Sequence, residues 1–273
     1  MGKMREATNS DSLVTNRHRH FGDGAKADFG VRSPAALVYS PRPSGLSGTI
    51  TMAQEIYQPT DRRPLASRQQ PFWQKTAAML ASAGASPNKI SIAGLFCGIA
   101  AGVCLVFTTH VDKWQRVVWL AGAAGTQLRL AANLLDGMVA VASGRASAVG
   151  ELYNEIPDRI SDAAILIGAG YAVGGNPTAG YLAACLAIMT AYIRAVGKAA
   201  GVTNLFIGPM AKPHRMFVVT VVCLFMALSP RSWQFSLHGQ GVMAMALWII
   251  CLGALVTCLR RLIRIAHHLR GQR

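Results

Sequence analysis

Five acidic residues, Asp136, Glu151, Glu155, Asp158 and Asp162, fall within 27 residues of a region that is otherwise mostly apolar. Glu151, Glu155, Asp158 and Asp162 are spaced i, i+4, i+7 and i+11, which places them on one face of an α-helix. Asn133 and Asp136 are three apart on the preceding apolar run, with Arg129 one turn further back on the same face. A short loop at 142–150 would bring the two faces together. Carboxylates crowded in this way repel unless a cation binds or some of them take up protons. A ligand set of oxygens, with no His or Cys, suits Mg²⁺ or Mn²⁺. The other use of such acids is an intramembrane ion-pair network, for which Arg129 and Arg159 are in reach. Gly137 directly follows Asp136, and Gly150 precedes Glu151. At each, a missing side chain would admit either a nucleotide or a neighbouring helix.

The elements that must position these groups are apolar helices. Of 273 residues, 52% are hydrophobic and 14% charged, against roughly 25% charged in ordinary soluble domains. Ile90–Thr109 carries no charge over 20 residues, about enough to cross a ~30 Å hydrocarbon layer. Further spans are expected at about 114–141, 151–173, 178–196, 216–228 and 242–259, giving an all-α membrane fold, a bundle of six transmembrane helices. Pro71–Ala85 is expected to add a short juxtamembrane amphipathic helix with Phe72, Trp73, Ala77 and Leu80 towards lipid. An acid at the centre of a span costs about 2.5–3.5 kcal/mol on insertion scales, so the five acids must face one another, a cation or water.

The first 70 residues are rich in Ser, Arg, Asp, Gly and Pro and read as a basic, disordered tail, with Met52 a candidate native start. Residues 71–266 form the membrane domain, and 267–273 a basic C-terminal tail. Six spans put both termini on one side. That side would hold the N-terminal tail, Arg145, Lys198, Lys212, Arg215 and five arginines from Arg260 onward, against Lys113, Arg116 and Arg231 opposite. The positive-inside rule makes it cytoplasmic, in a cell inner membrane. The net charge of +15 is placed to meet lipid headgroups and phosphates, and nucleic acid is not an expected partner. The six cysteines sit inside apolar runs without a CxxC pair and read as small hydrophobes. Trp114, Trp119, Trp233 and Trp248 read as interface anchors or lipid-facing surface.

The stretch N-L-L-D-G-M-V-A-V-A-S-G-R-A-S-A-V-G-E-L-Y-N-E-I-P-D resembles the signature of the CDP-alcohol phosphatidyltransferase family, D-x2-D-G-x2-A-R-x8-G-x3-D-x3-D. Every spacing is kept, through Asn133, Asp136, Gly137, Ala140, Val141, Gly150, Asn154 and Asp158. Asn133 and Asn154 stand where the family has Asp, and Val141 where it has Arg. S-P-N-K-I-S at 86–91, A-Y-I-R-A-V-G-K-A-A-G at 191–201 and G-P-M-A-K-P-H-R at 208–215 are similar to other family segments, so the resemblance covers about residues 86–260.

The resemblance implies a membrane enzyme of phospholipid biosynthesis. It moves a substituted phosphate from a CDP-linked lipid or alcohol, such as CDP-diacylglycerol, to an alcohol acceptor and releases CMP. It further implies Asp136 and Asp158 as catalytic carboxylates, and Mg²⁺ or Mn²⁺ held by Asp136 and Asp158 with Asn133 and Asn154. Glu151, Glu155 or Asp162, on the same helix face, would make up for the lost charge, or only one metal would bind. Gly137, Ala140 and Gly150 would line the nucleotide site. Arg194, Lys212 and Arg215, with Lys198, would form a pocket for a phosphorylated acceptor or lipid phosphate. A second copy of the chain is a candidate partner. The three departures motivate one alternative, a catalytically impaired member or a transporter-like protein. An intramembrane prenyltransferase also uses Asp-rich helices and Mg²⁺, but the spacing argues against it.

Overall fold

The computed structural model describes residues 66–202 and 205–271. The expected tail and the candidate start at Met52 lie outside the described residues, apart from 66–70. The described residues form seven α-helices: α1 Pro71–Ser82, α2 Pro87–Phe107, α3 Gln115–Ala142, α4 Ala148–Tyr171, α5 Pro177–Ala199, α6 Lys212–Leu228 and α7 Val242–Arg270. Apart from two short 3₁₀ turns, the other regular element is a hairpin of two-residue strands pairing Ser236 with Gly241 and Leu237 with Gln240, in a segment read from the sequence as a plain connection. The protein is an all-α membrane protein. The helices α2, α5 and α7 are long and apolar enough to cross a bilayer by length and composition. The site's charges sit on α3 and α4, and α6 has 17 residues.

Glycine sets the spacing between α2, α3 and α4. Gly94, Gly98 and Gly102 recur every fourth residue on α2 and are all buried. A Cβ at Gly102 would lie 2.3 Å from the carbonyl oxygen of Ala164, and one at Gly98 would lie 2.5 Å from Cβ of Ser161. Small residues at this period let helix backbones touch, the usual means of close packing where lipid is as apolar as the side chains. Gly170 and Gly180 do the same between α4 and α5. Around this seam a core of Leu105, Trp119, Ile165, Leu166, Met216, Met243, Leu247 and Ile250 is buried. Trp119 is therefore not at the interface or facing lipid as its type suggests: it is fully buried, whereas Trp114, Trp233 and Trp248 are exposed. Ala77 of α1 likewise turns inward at 3% exposure, because α1 packs on α3.

The connections sort the chain into two ends. At one end Val173 donates its N–H to Thr108 Oγ1 over 3.0 Å, and Gly174 abuts Gly241. The other end gathers the start of α2, the end of α3, the start of α4, the end of α5, the start of α6 and the second half of α7. The α3–α4 turn closes that end tightly. Gly144, at φ 65°, follows the last turn of α3, and the N–H groups of Gly144 and Arg145 return to Val141 and Ala140 at 3.1 and 3.0 Å. This left-handed C-terminal cap favours glycine. Ser147 then caps α4, accepting from the Gly150 N–H at 3.0 Å. Helix α7 continues to Arg270, well past the apolar run that ends near Leu259. Its 29 residues span roughly 43 Å at 1.5 Å each.

Candidate active site

The acids and the signature residues meet at the end closed by Gly144. Asp136 on α3 is 3% exposed and accepts two hydrogen bonds, from Ser91 Oγ of α2 at 2.6 Å and from its own neighbour's N–H, Gly137, at 2.5 Å. No basic side chain among the described residues lies within ion-pair distance of it. Beside it opens a cleft lined by Asn88 and Ser91 of α2, Asp136, Gly137 and Ala140 of α3, Arg145 of the turn, and Gly150, Glu151 and Asn154 of α4. Among the described residues, apart from its own helix, nothing lies within 4 Å of where a Cβ on Gly137 would stand, and this glycine lines the cleft. The Oδ1 of Asn154 is buried and receives no hydrogen bond from the described residues.

One turn and two turns further along α4, the acids meet cations. Asp158 is ion-paired through Oδ1 with Arg129 of α3 and, at 2.6 Å, with the Lys212 ammonium at the start of α6. Its Oδ2 accepts from Asn133 Nδ2 at 3.2 Å. Asp162 lies 3.4 Å from Lys212 through Oδ1 and 3.3 Å from Arg215 through Oδ2. Lys212 bridges the two carboxylates by proximity, without hydrogen-bond alignment to either. Arg129 is fully buried, and it also donates through Nε to Ser161 Oγ at 2.7 Å. Its guanidinium passes over Gly94: a Cβ there would be 2.8 Å from Nη1.

Lys212 and Arg215 are placed by the segment before α6. Met210 donates its N–H to Thr257 Oγ1 of α7 at 3.1 Å and accepts from Arg215 Nη1 at 2.9 Å. Gly208, at φ 118°, passes so close to Thr257 that a Cβ would be 2.4 Å from Cγ2. Arg261 of α7 ties the same segment to α5, donating to the carbonyls of Ile207 at 3.1 Å and Thr190 at 2.5 Å. Ser91, Ser161, Thr190 and Arg261 were not singled out in the sequence. They are partners that only tertiary packing selects.

A third layer is more open. Glu155 is ion-paired with Arg159 on its own helix and with Arg194 of α5, and Arg194 also lies over the Phe206 ring at 5.6 Å. Lys198, one turn beyond Arg194, has its ammonium 3.6 Å from Glu151. Of the residues expected to bind phosphate, Arg194 and Lys198 are accessible, whereas Arg215 is 1% exposed and committed to Asp162, Thr190 and Met210.

The two uses of the acids read from the sequence thus separate in space. The ion-pair network takes Asp158, Asp162 and Glu155, through Arg129, Lys212, Arg215, Arg159 and Arg194. Among the described residues no group of three or more His, Cys, Asp or Glu converges as a metal site. Asp136 and the orphaned Asn154 oxygen, both on the cleft, fit a divalent cation of the hard, oxygen-preferring kind.

No protein-family model matches the chain. It is 29% identical over 196 residues to the phosphatidylinositol phosphate synthase of Streptomyces avermitilis, covering 69% of this chain and 75% of that one. It is 30% identical over 153 residues to the archaetidylinositol phosphate synthase of Pyrococcus horikoshii, covering 55% of this chain and 74% of the relative. The fold is similar to the crystal structure of Mycobacterium tuberculosis phosphatidylinositol phosphate synthase with CDP-DAG bound, at a TM-score of 0.57 and 19% identity over 72% of this chain and 94% of that one. The same enzyme in complex with manganese and citrate gives a TM-score of 0.56 at 20% identity, over 71% and 88% of the two chains. The cleft, the signature spacing that lines it and these relatives converge: the chain belongs to the CDP-alcohol phosphatidyltransferase family, membrane enzymes of phospholipid synthesis that transfer a substituted phosphate from a CDP-linked donor to an alcohol and release CMP.

Proposed function

We propose that this enzyme transfers a phosphatidyl group from CDP-diacylglycerol to a phosphorylated polyol of the inositol phosphate class, at the cytoplasmic face of the cell inner membrane. The single observation that carries the acceptor class is the accessible basic pair Arg194 and Lys198, one turn apart on α5 and facing Glu155 and Glu151 across the mouth of the site. A phosphate monoester entering there would exchange with those carboxylates, and Arg guanidinium suits it by its forked donors. The names of the relatives support the same class, because a phosphatidylinositol phosphate is the product of such a transfer.

The six helices α2–α7 each cross the membrane in this reading, α1 lies along its surface, and both termini are cytoplasmic. The CDP moiety occupies the cleft over Gly137, where open space and a missing side chain admit a nucleotide, with Ala140 and Gly150 along its walls. Asp136 and Asn154 hold a divalent cation, Mg²⁺ or Mn²⁺. Such an ion, when bound, neutralises the pyrophosphate and the charge that develops on departing CMP. Ser91 keeps the Asp136 carboxylate turned towards the cleft. Asp158 takes the proton of the acceptor hydroxyl through Oδ2, the oxygen that neither cation holds. Arg129 and Lys212 fix that carboxylate and prevent its rotation.

The test is CMP release from CDP-diacylglycerol by the purified enzyme against inositol phosphate, free inositol, glycerol 3-phosphate and serine. Release with inositol phosphate and not with free inositol is expected. Arg194→Gln should raise KM for the phosphorylated acceptor on the order of tenfold or more, one charge-assisted hydrogen bond being worth about 1.5–3 kcal/mol. The KM for CDP-diacylglycerol should stay as it is. Equal use of free inositol would overturn the acceptor assignment.

A further inference from the structure

We infer that this chain holds one divalent cation per active site, on Asp136 and Asn154, and that the Lys212 ammonium and the Arg129 guanidinium fill the half of the carboxylate cluster where a second ion would sit. The inference rests on the phosphotransferase reading above and concerns how its site is charged.

The charges around the site make the case. Of the four signature positions that carry Asp in the family, two are Asn here, leaving Asp136 and Asp158. Asp162 adds a third carboxylate within reach, and Arg129, Lys212 and Arg215 add three cations. The set is therefore neutral before any metal enters. Two divalent ions would bring four further positive charges into a place where Lys212 is already 2.6 Å from Asp158. Like charges at such range repel strongly inside a poorly polarisable interior. Neither cation can readily swing away. Arg129 is sealed between Gly94, Gly98 and Ser161, and Lys212 sits on the first turn of a helix whose preceding segment is bound to Thr257 and Arg261.

Asp136 differs from the other carboxylates. Its partners are a hydroxyl and a backbone N–H, both neutral, and it borders the cleft. The buried Asn154 Oδ1, without a hydrogen bond among the described residues, borders the same cleft. A buried amide oxygen left without a donor is costly, and a cation satisfies it. The asparagine at this position is then a working ligand, not a relic.

Titration of Mn²⁺ into the metal-stripped full-length enzyme, followed by electron paramagnetic resonance, reads the number and coupling of bound ions without any reaction. One bound Mn²⁺ per chain with the six-line signal of an isolated ion is expected. Binding should weaken at least tenfold in Asp136→Asn and in Asn154→Leu, and persist in Asp162→Asn. The double variant Asn133→Asp, Asn154→Asp combined with Arg129→Gln should admit a second ion. Two ions in the wild type, a spin-coupled pair, no bound ion, or a site indifferent to both Asp136→Asn and Asn154→Leu would each overturn the inference. CMP release by the same wild-type preparation is scored separately, so a failed stoichiometry leaves the phosphotransferase reading standing, and absent CMP release fails that reading whatever the ion count.

Discussion

The ammonium of Lys212, on the first turn of α6, lies 2.6 Å from Oδ1 of Asp158 on α4, the same oxygen that Arg129 of α3 holds. Three helices are thereby locked on one atom. Removing one member of a buried ion pair leaves charge uncompensated, at a cost of about 3–5 kcal/mol. Lys212→Met should cost about 3 kcal/mol, the low end of that range, because Arg129 still meets Asp158. Thermal unfolding in detergent reads the loss, and adding Asp158→Asn to Lys212→Met should deepen it, because the buried Arg129 then loses its carboxylate as well. An unchanged melting temperature in Lys212→Met would show that the contact carries no weight.

In the proposed mechanism Asp136 and Asp158 have different jobs and should fail differently. Asp136→Asn removes the one acid on α3 and α4 that is not paired to a base among the described residues, so CMP release should require much more Mn²⁺ or Mg²⁺. Asp158→Asn removes the proton acceptor, and turnover should fall by roughly 10²–10⁴-fold at saturating metal. Rates of CMP release across a metal series separate the two. Wild-type rates in both variants would defeat the assignment of either residue.

The glycines divide into structural and functional. Gly102→Val drives a side chain into the Ala164 carbonyl, 2.3 Å from where a Cβ would start. Overpacking of this kind costs about 1–3 kcal/mol or more, and the variant should unfold well below the wild type. Gly137→Ala meets no atom of another described element within 4 Å, so its melting temperature should hold or rise, while its affinity for CDP-diacylglycerol falls. A stable Gly102→Val, or a Gly137→Ala that binds donor normally, would reverse the reading of that residue.

Topology is testable without the enzyme's chemistry. With α2–α7 all crossing, tags at residue 273 and at the N-terminus should both be shielded from protease added outside intact cells, and a tag inserted after Trp233 should be cleaved. Cleavage at the C-terminus would mean that one of α3, α4 or α6 does not cross.

Much of this was legible in the residues. The Asn133–Asp158 spacing identifies the family because a helical hairpin with a short turn tolerates neither insertion nor deletion between its facing residues. The helix positions followed from the apolar runs. What the sequence withheld depends on packing. Nothing in the order of residues says that Lys212 would reach α4 or that Arg261 would clamp Thr190. The open oxygen of Asn154 is equally invisible, since hydrogen-bond vacancy is a property of the fold. Trp119 misled by its type: an indole suits the interface, yet here it fills the same buried core as Leu105. The extent of α7 was missed because hydropathy reports where apolar residues end, while Arg, Leu, Ile and Ala continue to favour helix to Arg270.

The tight turn at Gly144 also bears on how the protein is made. In the proposed six-span arrangement, α3 alone would carry Arg129 and Asp136 into lipid, and α4 alone would carry Asp158 and Asp162, each charge costing about 2.5–3.5 kcal/mol at mid-membrane. Arg129 and Asp158 cancel only once both helices are present. Because the turn between them is so short, nascent α4 emerges already within reach of α3. If both helices cross, as proposed, the hairpin would enter the membrane with Arg129 and Asp158 already paired, while Asp162 waits for Lys212 and Arg215 of α6, and lengthening the turn should impair membrane insertion before it harms any catalytic step.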